Sequence, residues 1–366
     1  GCFDKITFIG GIINSLFSPE IALANEKELS IWEEPSNATY GQMEIKLKPF
    51  GETDMKKDIE LLGQKVEVSL GTIRPGTPTT RKGSEKSLHL GEINSLMTIK
   101  FEKKQPFVEI TKYYSLFVQA FSLLATQHNI RFEIRVTIPS KTEKGFIDSA
   151  YCRFFDHYEN YCELDSHSVM QLRLVIDNIE RFLDVLSCQS NAPYLQFLPR
   201  SNQERRTINF DRIRDVCTAF EKEFALSKIK EDSMLESLVN ELRAVVEEFS
   251  SQNKVDNDTL SSVYGSIGYI SKPLKQRMFL MYNHYKDKID EIYRFNDAYK
   301  KCTFSEDEFQ RFVKIRNDIT HAGNTVWSEN VGIIYSVVEV MVYLACFDRM
   351  GIEKELAAKL VSSAYR

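Results

Sequence analysis

Alternating apolar and polar positions dominate the first third of the chain. Met43, Ile45 and Leu47 alternate with Glu44, Lys46 and Lys48; Val66, Val68 and Leu70 alternate with Lys65, Glu67 and Ser69. Further on, Ile130, Phe132, Ile134, Val136 and Ile138 alternate with Arg131, Glu133, Arg135 and Thr137. A period of two buries one face of a strand and wets the other, so these segments predict an antiparallel sheet reaching to about Pro139. The stretch Gly71 to Lys86, rich in Gly, Pro, Thr and basic residues, predicts a loop between strands. One helix interrupts them: Thr111 to His128 places Tyr113, Phe117, Phe121 and Leu124 on a single face, suited to covering the sheet.

After about Ser166 the spacing becomes helical. Val169, Leu172, Ile176, Ile179, Leu183 and Leu186 form one apolar stripe, and Pro193 and Pro199 then mark a boundary in a stretch of little periodicity. Helices are predicted over Ile208 to Phe224 and Leu235 to Phe249. Another begins with Pro273 at its first position and carries Met278, Met281, Tyr285, Ile289 and Ile292. The segments Ser305 to Gly323 and Ser328 to Met350 follow, then a short tail with Leu356 and Leu360. The expected fold is α+β: a β-rich N-terminal domain with a packed helix over 1–165, a helix and linker over 166–204, and an all-α up-down bundle over 205–366.

Length and composition narrow the function. A chain of 366 residues, 43% hydrophobic and 27% charged, predicts an ordinary globular protein of two or more domains. Its net charge of −5 supplies no global field for nucleic acid, so such binding needs a local patch. The seven cysteines, odd in number and scattered, argue for reduced thiols and a cytoplasmic location. Ile333 to Phe347 is the most apolar run, but Ser336 and Glu339 interrupt it, and no membrane span is expected. The opening GCFDKITFIGG has an early Asp4 and no basic leader, a poor signal peptide.

The chemistry concentrates in SEDEFQRFVKIRNDITHAG, from Ser305 to Gly323. Ser305 with Glu308 three residues on forms a capping-box pattern; Phe309, Phe312, Val313 and Ile319 give the apolar stripe, and Gly323 a stop. Inside lie Arg316, Asn317 and His321. Asn317 and His321 share a helix face, whereas Arg316 points well round the cylinder and must reach back. A helix C-terminus favours a positive imidazole, histidine exchanges protons near neutral pH, and a guanidinium fork suits a phosphate. Together these groups suit cleavage of RNA by its own 2′-hydroxyl, without metal or cofactor. Acid and base are two tasks, and a dimer would bring two such helices together. A surface pair or a C-terminal cap is the plain alternative for Arg and His at this spacing.

The hexapeptide RNDITH, its helical setting and the following helix Ser328 to Met350 resemble the HEPN family over about Arg206 to Arg366. The resemblance implies a helical, usually dimeric, metal-independent endoribonuclease. It makes Arg316 and His321 the catalytic pair and Asn317 an accessory polar residue. The order of a strand-rich domain, with VEVSLGTIRPG, before the helical one is similar in layout to the ApeA-like family of abortive-infection proteins. That layout implies antiphage defence, an RNA substrate, and a phage-derived trigger acting through the N-terminal domain. The alternative is a non-catalytic HEPN-like module that binds a nucleotide or a protein.

Four further patterns carry candidate chemistry. Cys152, His157, Cys162 and His167 recur at five-residue intervals and are zinc-ligand types, but structural sites usually pair ligands two to four apart, and the aromatic surroundings favour plain packing. The basic run Arg200, Arg205, Arg206, Arg212 and Arg214, interleaved with Glu204, Asp211 and Asp215, predicts a solvated and internally paired surface rather than an RNA track. His284 in a Tyr-rich helix reads as a packed or surface residue, and Gly265 and Gly268 lack the preceding strand of a phosphate loop.

Overall fold

The computed structural model describes residues 1–18, 55–73, 93–138, 148–152, 164, 168–227, 229, 233–253, 255–270, 273–321 and 330–365, without the side chains of 138, 148–152, 189, 233–236, 266, 268–270 and 319–321. The architecture is mixed α+β, with an antiparallel sheet in the N-terminal part and a mostly helical C-terminal part. Two compact units contain these elements: 1–206 with 350–352 and 362–366, and 207–349 with 353–361.

In the first unit the described strands are β1 (Cys2–Ile9), β2 (Lys56–Leu61), β3 (Gln64–Ile73), β4 (Asn94–Pro106), β5 (Glu133–Ile138) and β6 (Asp148–Cys152). They form one sheet in the order β2-β3-β4-β1-β5-β6, antiparallel at every step. The opening CFDKITFI is therefore an interior strand, its register shifted between Phe3 and Lys5. Gly10 and Gly11, both with positive φ, turn the chain into the short α1 (Ile12–Leu16). A Cβ on Gly11 would stand 2.0 Å from the Arg131 carbonyl oxygen, so this turn requires glycine.

Helix α2 (Ile110–Ala125) lays its predicted face, Tyr113, Phe117, Phe121 and Leu124, wholly inward. Phe8 of β1 meets Phe117 at 4.7 Å and Phe121 edge-on at 5.6 Å between ring centroids. Each such buried aromatic contributes about 1.5–3 kcal/mol from apolar burial. The alternation at Val66, Val68 and Leu70 lies in β3, and Ile134 and Val136 point inward from β5. Sequence reading passed over β4, although Met97, Ile99 and Phe101 alternate there with Thr98, Lys100 and Glu102. The Met43–Leu47 segment and most of the Gly71–Lys86 loop lie outside the described residues.

The stripe from Val169 to Leu186 is buried throughout, but it is not one helix. Two 3-10 turns (Leu172–Leu174 and Ile176–Asn178) precede α3 (Ile179–Ser187), and the four-residue α4 (Asn202–Arg205) follows. Both helix types repeat near three residues, so the apolar spacing alone does not separate them.

The second unit holds α5 (Phe210–Leu226), α6 (Ser233–Asn253), α7 (Asn257–Ile270), α8 (Leu274–Ile292), α9 (Asp297–Lys301), α10 (Glu306–His321), α11 (Val331–Arg349) and most of α12 (Lys354–Ala364). Gly265 and Gly268 sit inside α7, which removes the phosphate-loop reading. Pro273 stands at the N-cap of α8, one residue earlier than predicted. Among the described residues α11 is long and apolar enough to cross a membrane by length and composition, yet most of it is buried inside the unit. It packs on α5, α8 and α10.

Helix directions follow from paired contacts. Arg212 meets Glu339 and Arg349 meets Glu223, so α5 and α11 run the same way. Tyr293, just past α8, bonds Ser336 near the start of α11, so α8 runs opposite to both. The up-down expectation fails between α8 and α10. Tyr299 reaches back to Asp290 and Tyr282, Phe304 stacks on Tyr282, and Glu306 pairs with Lys275 at 3.3 Å. The chain thus retraces α8 before α10 starts, and α10 runs parallel to α8, with Phe309 beside Tyr282. The aromatic content of this return segment buries it on α8 in place of a tight reversal.

Candidate functional site

Helix α10 is set by three features of its sequence. Ser305 Oγ accepts from the Glu308 backbone N–H at 3.3 Å, one half of the expected capping box; the Glu308 carboxylate instead takes a bond from Arg311. Glu306, Asp307 and Glu308 place negative charge in the first turn, where the helix dipole favours it. Phe309, Phe312, Val313 and Ile315 are buried and fix the helix rotation.

That rotation leaves Arg316 at the rim, its side chain 28% exposed. Its Nη1 donates to Asn317 Oδ1 at 3.1 Å, and its Nη2 lies 3.4 Å from Glu221 Oε2 on α5. The guanidinium is therefore held between two helices. Within reach of its charge lies the fully buried Cys217, whose thiol is pushed up to about 12, chiefly by burial; the Arg316 cation lowers it and the Glu221 carboxylate raises it. Asn317 is exposed, and Asp318 half-buried.

Arg316 and Asn317 are thus brought into contact, side by side on the surface. His321 is the last residue of α10; its side chain lies outside the described residues. Glu221 was absent from the sequence reading. It stands 95 residues from Arg316 among the polar positions of an ordinary amphipathic helix, with no local signal to mark it.

Of the zinc-type residues, Cys152 ends β6 opposite Ile134 with its side chain outside the described residues, where His157, Cys162 and His167 also lie. No group of three or more His, Cys, Asp or Glu side chains is placed to hold a metal ion among the described residues. The His284 and Tyr285 rings meet perpendicular to one another, and His284 Nε2 lies 3.1 Å from Lys354 Nζ. Burial first, then the Lys354 charge, lowers its pKa.

The basic run forms the expected solvated surface in part: Arg200, Arg206 and Arg214 are exposed. Arg212 is buried, donating to Tyr335 and Glu339 at 3.0 Å. Arg205 donates to the Ser168 and Ala364 carbonyls. Arg214 is paired with Asp211 and Asp215 at the surface, as expected. Arg212 falls on the inward face of α5 with Ile213 and Val216, and Glu339 on the facing helix makes its burial possible.

Comparison with family models, with curated proteins and with solved structures returns no match for the chain.

Proposed function

We propose that the protein is a metal-independent endoribonuclease of HEPN type, working as a homodimer in antiphage defence, with the strand-rich unit as sensor or brake. The observation that supports the reading is the fixed, partly exposed guanidinium of Arg316, bonded to Asn317 on the helix that closes with His321. In the proposed reaction a base removes the ribose 2′-hydroxyl proton. The 2′-oxygen attacks the adjacent phosphorus, and the bond to the 5′-oxygen breaks as that oxygen takes up a proton. The products are a 2′,3′-cyclic phosphate and a 5′-hydroxyl. His321 supplies proton transfer, on the order of 10²–10⁴ in rate. Arg316 stabilises charge on the phosphorane, worth a few kcal/mol.

The test is incubation of purified full-length protein with RNA in the presence of a chelator. Cleavage is expected, with loss in His321→Ala and Arg316→Ala variants that keep their circular dichroism. RNA methylated at the 2′-oxygen should survive; its cleavage removes the mechanism.

One observation favours the non-catalytic alternative. The Glu221 carboxylate beside Nη2 offsets part of the charge that a phosphate would meet. In that reading the same polar face binds a nucleotide or protein, and the wild-type protein leaves RNA intact.

A further inference from the structure

The turn between α8 and α9 presents an aromatic ring to solvent from a rigid base. Tyr293 is buried, stacks on Tyr299 with the ring planes 13° apart, and bonds Ser336 through its hydroxyl. Asn296 caps α9 by accepting from the Tyr299 N–H at 3.0 Å, and its own N–H donates to the Tyr293 carbonyl at 2.8 Å. The two residues between these anchors point outward. Phe295 is 82% exposed, and the Arg294 guanidinium lies 4.5 Å from its ring centroid.

A Phe this exposed gains nothing from burial, and its backbone has been ordered by flanking contacts it does not share. The arrangement leaves one π-face under a cation and the rest of the ring open. Aromatic rings with nearby arginines are the means by which proteins hold unpaired bases, since every base has a π-face and the adjacent cation meets the backbone phosphate. The position also fits the reading given above. This turn lies at the C-terminal end of α8, and α10, parallel to α8, advances toward that end from Lys275 past Tyr282. From Arg316 to the last residue of α10 the helix climbs about 7.5 Å in that direction.

We infer that Phe295 and Arg294 form a stacking platform for one unpaired base of single-stranded RNA, holding the strand whose phosphate meets Arg316. This rests on the ribonuclease reading for the identity of the ligand, but its test needs no cleavage. A fluorescent 2′-O-methyl oligoribonucleotide, inert to attack by a 2′-hydroxyl, is titrated with full-length protein and followed by anisotropy. Phe295→Ala should weaken Kd by roughly tenfold, the scale of one lost base stack, while Phe295→Trp binds as wild type. An oligonucleotide carrying abasic sites should erase the difference between wild type and Phe295→Ala, which a merely structural role would not do.

Equal binding by wild type and Phe295→Ala overturns the platform, as does a wild type that does not bind the oligonucleotide. A change of sedimentation in Phe295→Ala, with RNA affinity intact, also overturns it and makes the ring a protein contact. The two readings fail separately. Intact binding by Phe295→Ala beside active cleavage by wild type sinks the platform alone, and a Phe295-dependent complex without cleavage of unmodified RNA sinks the nuclease alone.

Discussion

Arg212 of α5 and Glu339 of α11 form an ion pair at 3.0 Å, their side chains 2% and 4% exposed, at the centre of the helical unit. Tyr335 bonds both partners. Burying two charges is tolerated because each satisfies the other, so removing one leaves an uncompensated charge. Arg212→Met should cost about 3–5 kcal/mol, read as a drop in the urea midpoint. The double variant Arg212→Met, Glu339→Leu should recover much of that loss. An undisturbed midpoint in the single variant would mean that the pair contributes nothing to the stability of the fold.

Glu221 holds Arg316 in place and also competes for it. The pair is partly solvated, so Glu221→Gln should change stability by less than about 1 kcal/mol. Removing the carboxylate leaves the guanidinium a fuller charge for phosphate. Under the proposed ribonuclease activity, the expected outcome is tighter RNA binding, seen as a KM lowered a few-fold, with kcat altered less. A kcat that collapses instead would make Glu221 a required positioning residue.

Cysteine reactivity should follow local environment. The Cys188 thiol, exposed, is held below its ordinary value by the Ser190 hydroxyl; the Cys302 thiol is raised by burial and Glu308, and Cys217 and Cys346 are buried. Iodoacetamide at pH 7.5 followed by peptide mass spectrometry should label Cys188 ahead of Cys302, and Cys217 and Cys346 only in denaturant. Early labelling of Cys217 would show that α5 opens readily around this thiol.

Alkali should destabilise the helical unit. Cys217 is raised from 9.0 to about 12, and burial raises Cys346 well above its ordinary value. The folded state thus keeps protons that the unfolded chain releases above about pH 9. Stability from this source is full below that pH and is lost as pH rises toward 12, by up to about 1.4 kcal/mol per unit for each thiol. Urea midpoints at pH 8 and 10.5 measure the slope, which Cys217→Ala should make shallower.

The period-two runs in β3 and β5 and the apolar face of α2 were legible because local spacing decides them. The same alternation marks β4 at Met97, Ile99 and Phe101. The stripe from Val169 to Leu186 was found as a buried face but not as turns, since apolar spacing near three serves both 3-10 and α-helix. At the candidate site, α10 and the adjacency of Arg316 and Asn317 could be read, because neighbours along one helix stay neighbours.

By itself the sequence determined the α+β division, the α10 cap at Ser305, and the chemistry that Arg316, Asn317 and His321 offer. Only the tertiary structure decided that Arg212 turns inward to Glu339, that Glu221 grips Arg316, and that the chain doubles back along α8 before α10 begins. The division is physical. Hydrophobic period and capping act within a few residues, whereas a charge becomes buried, or a guanidinium anchored, only through a partner that packing brings from about a hundred residues away.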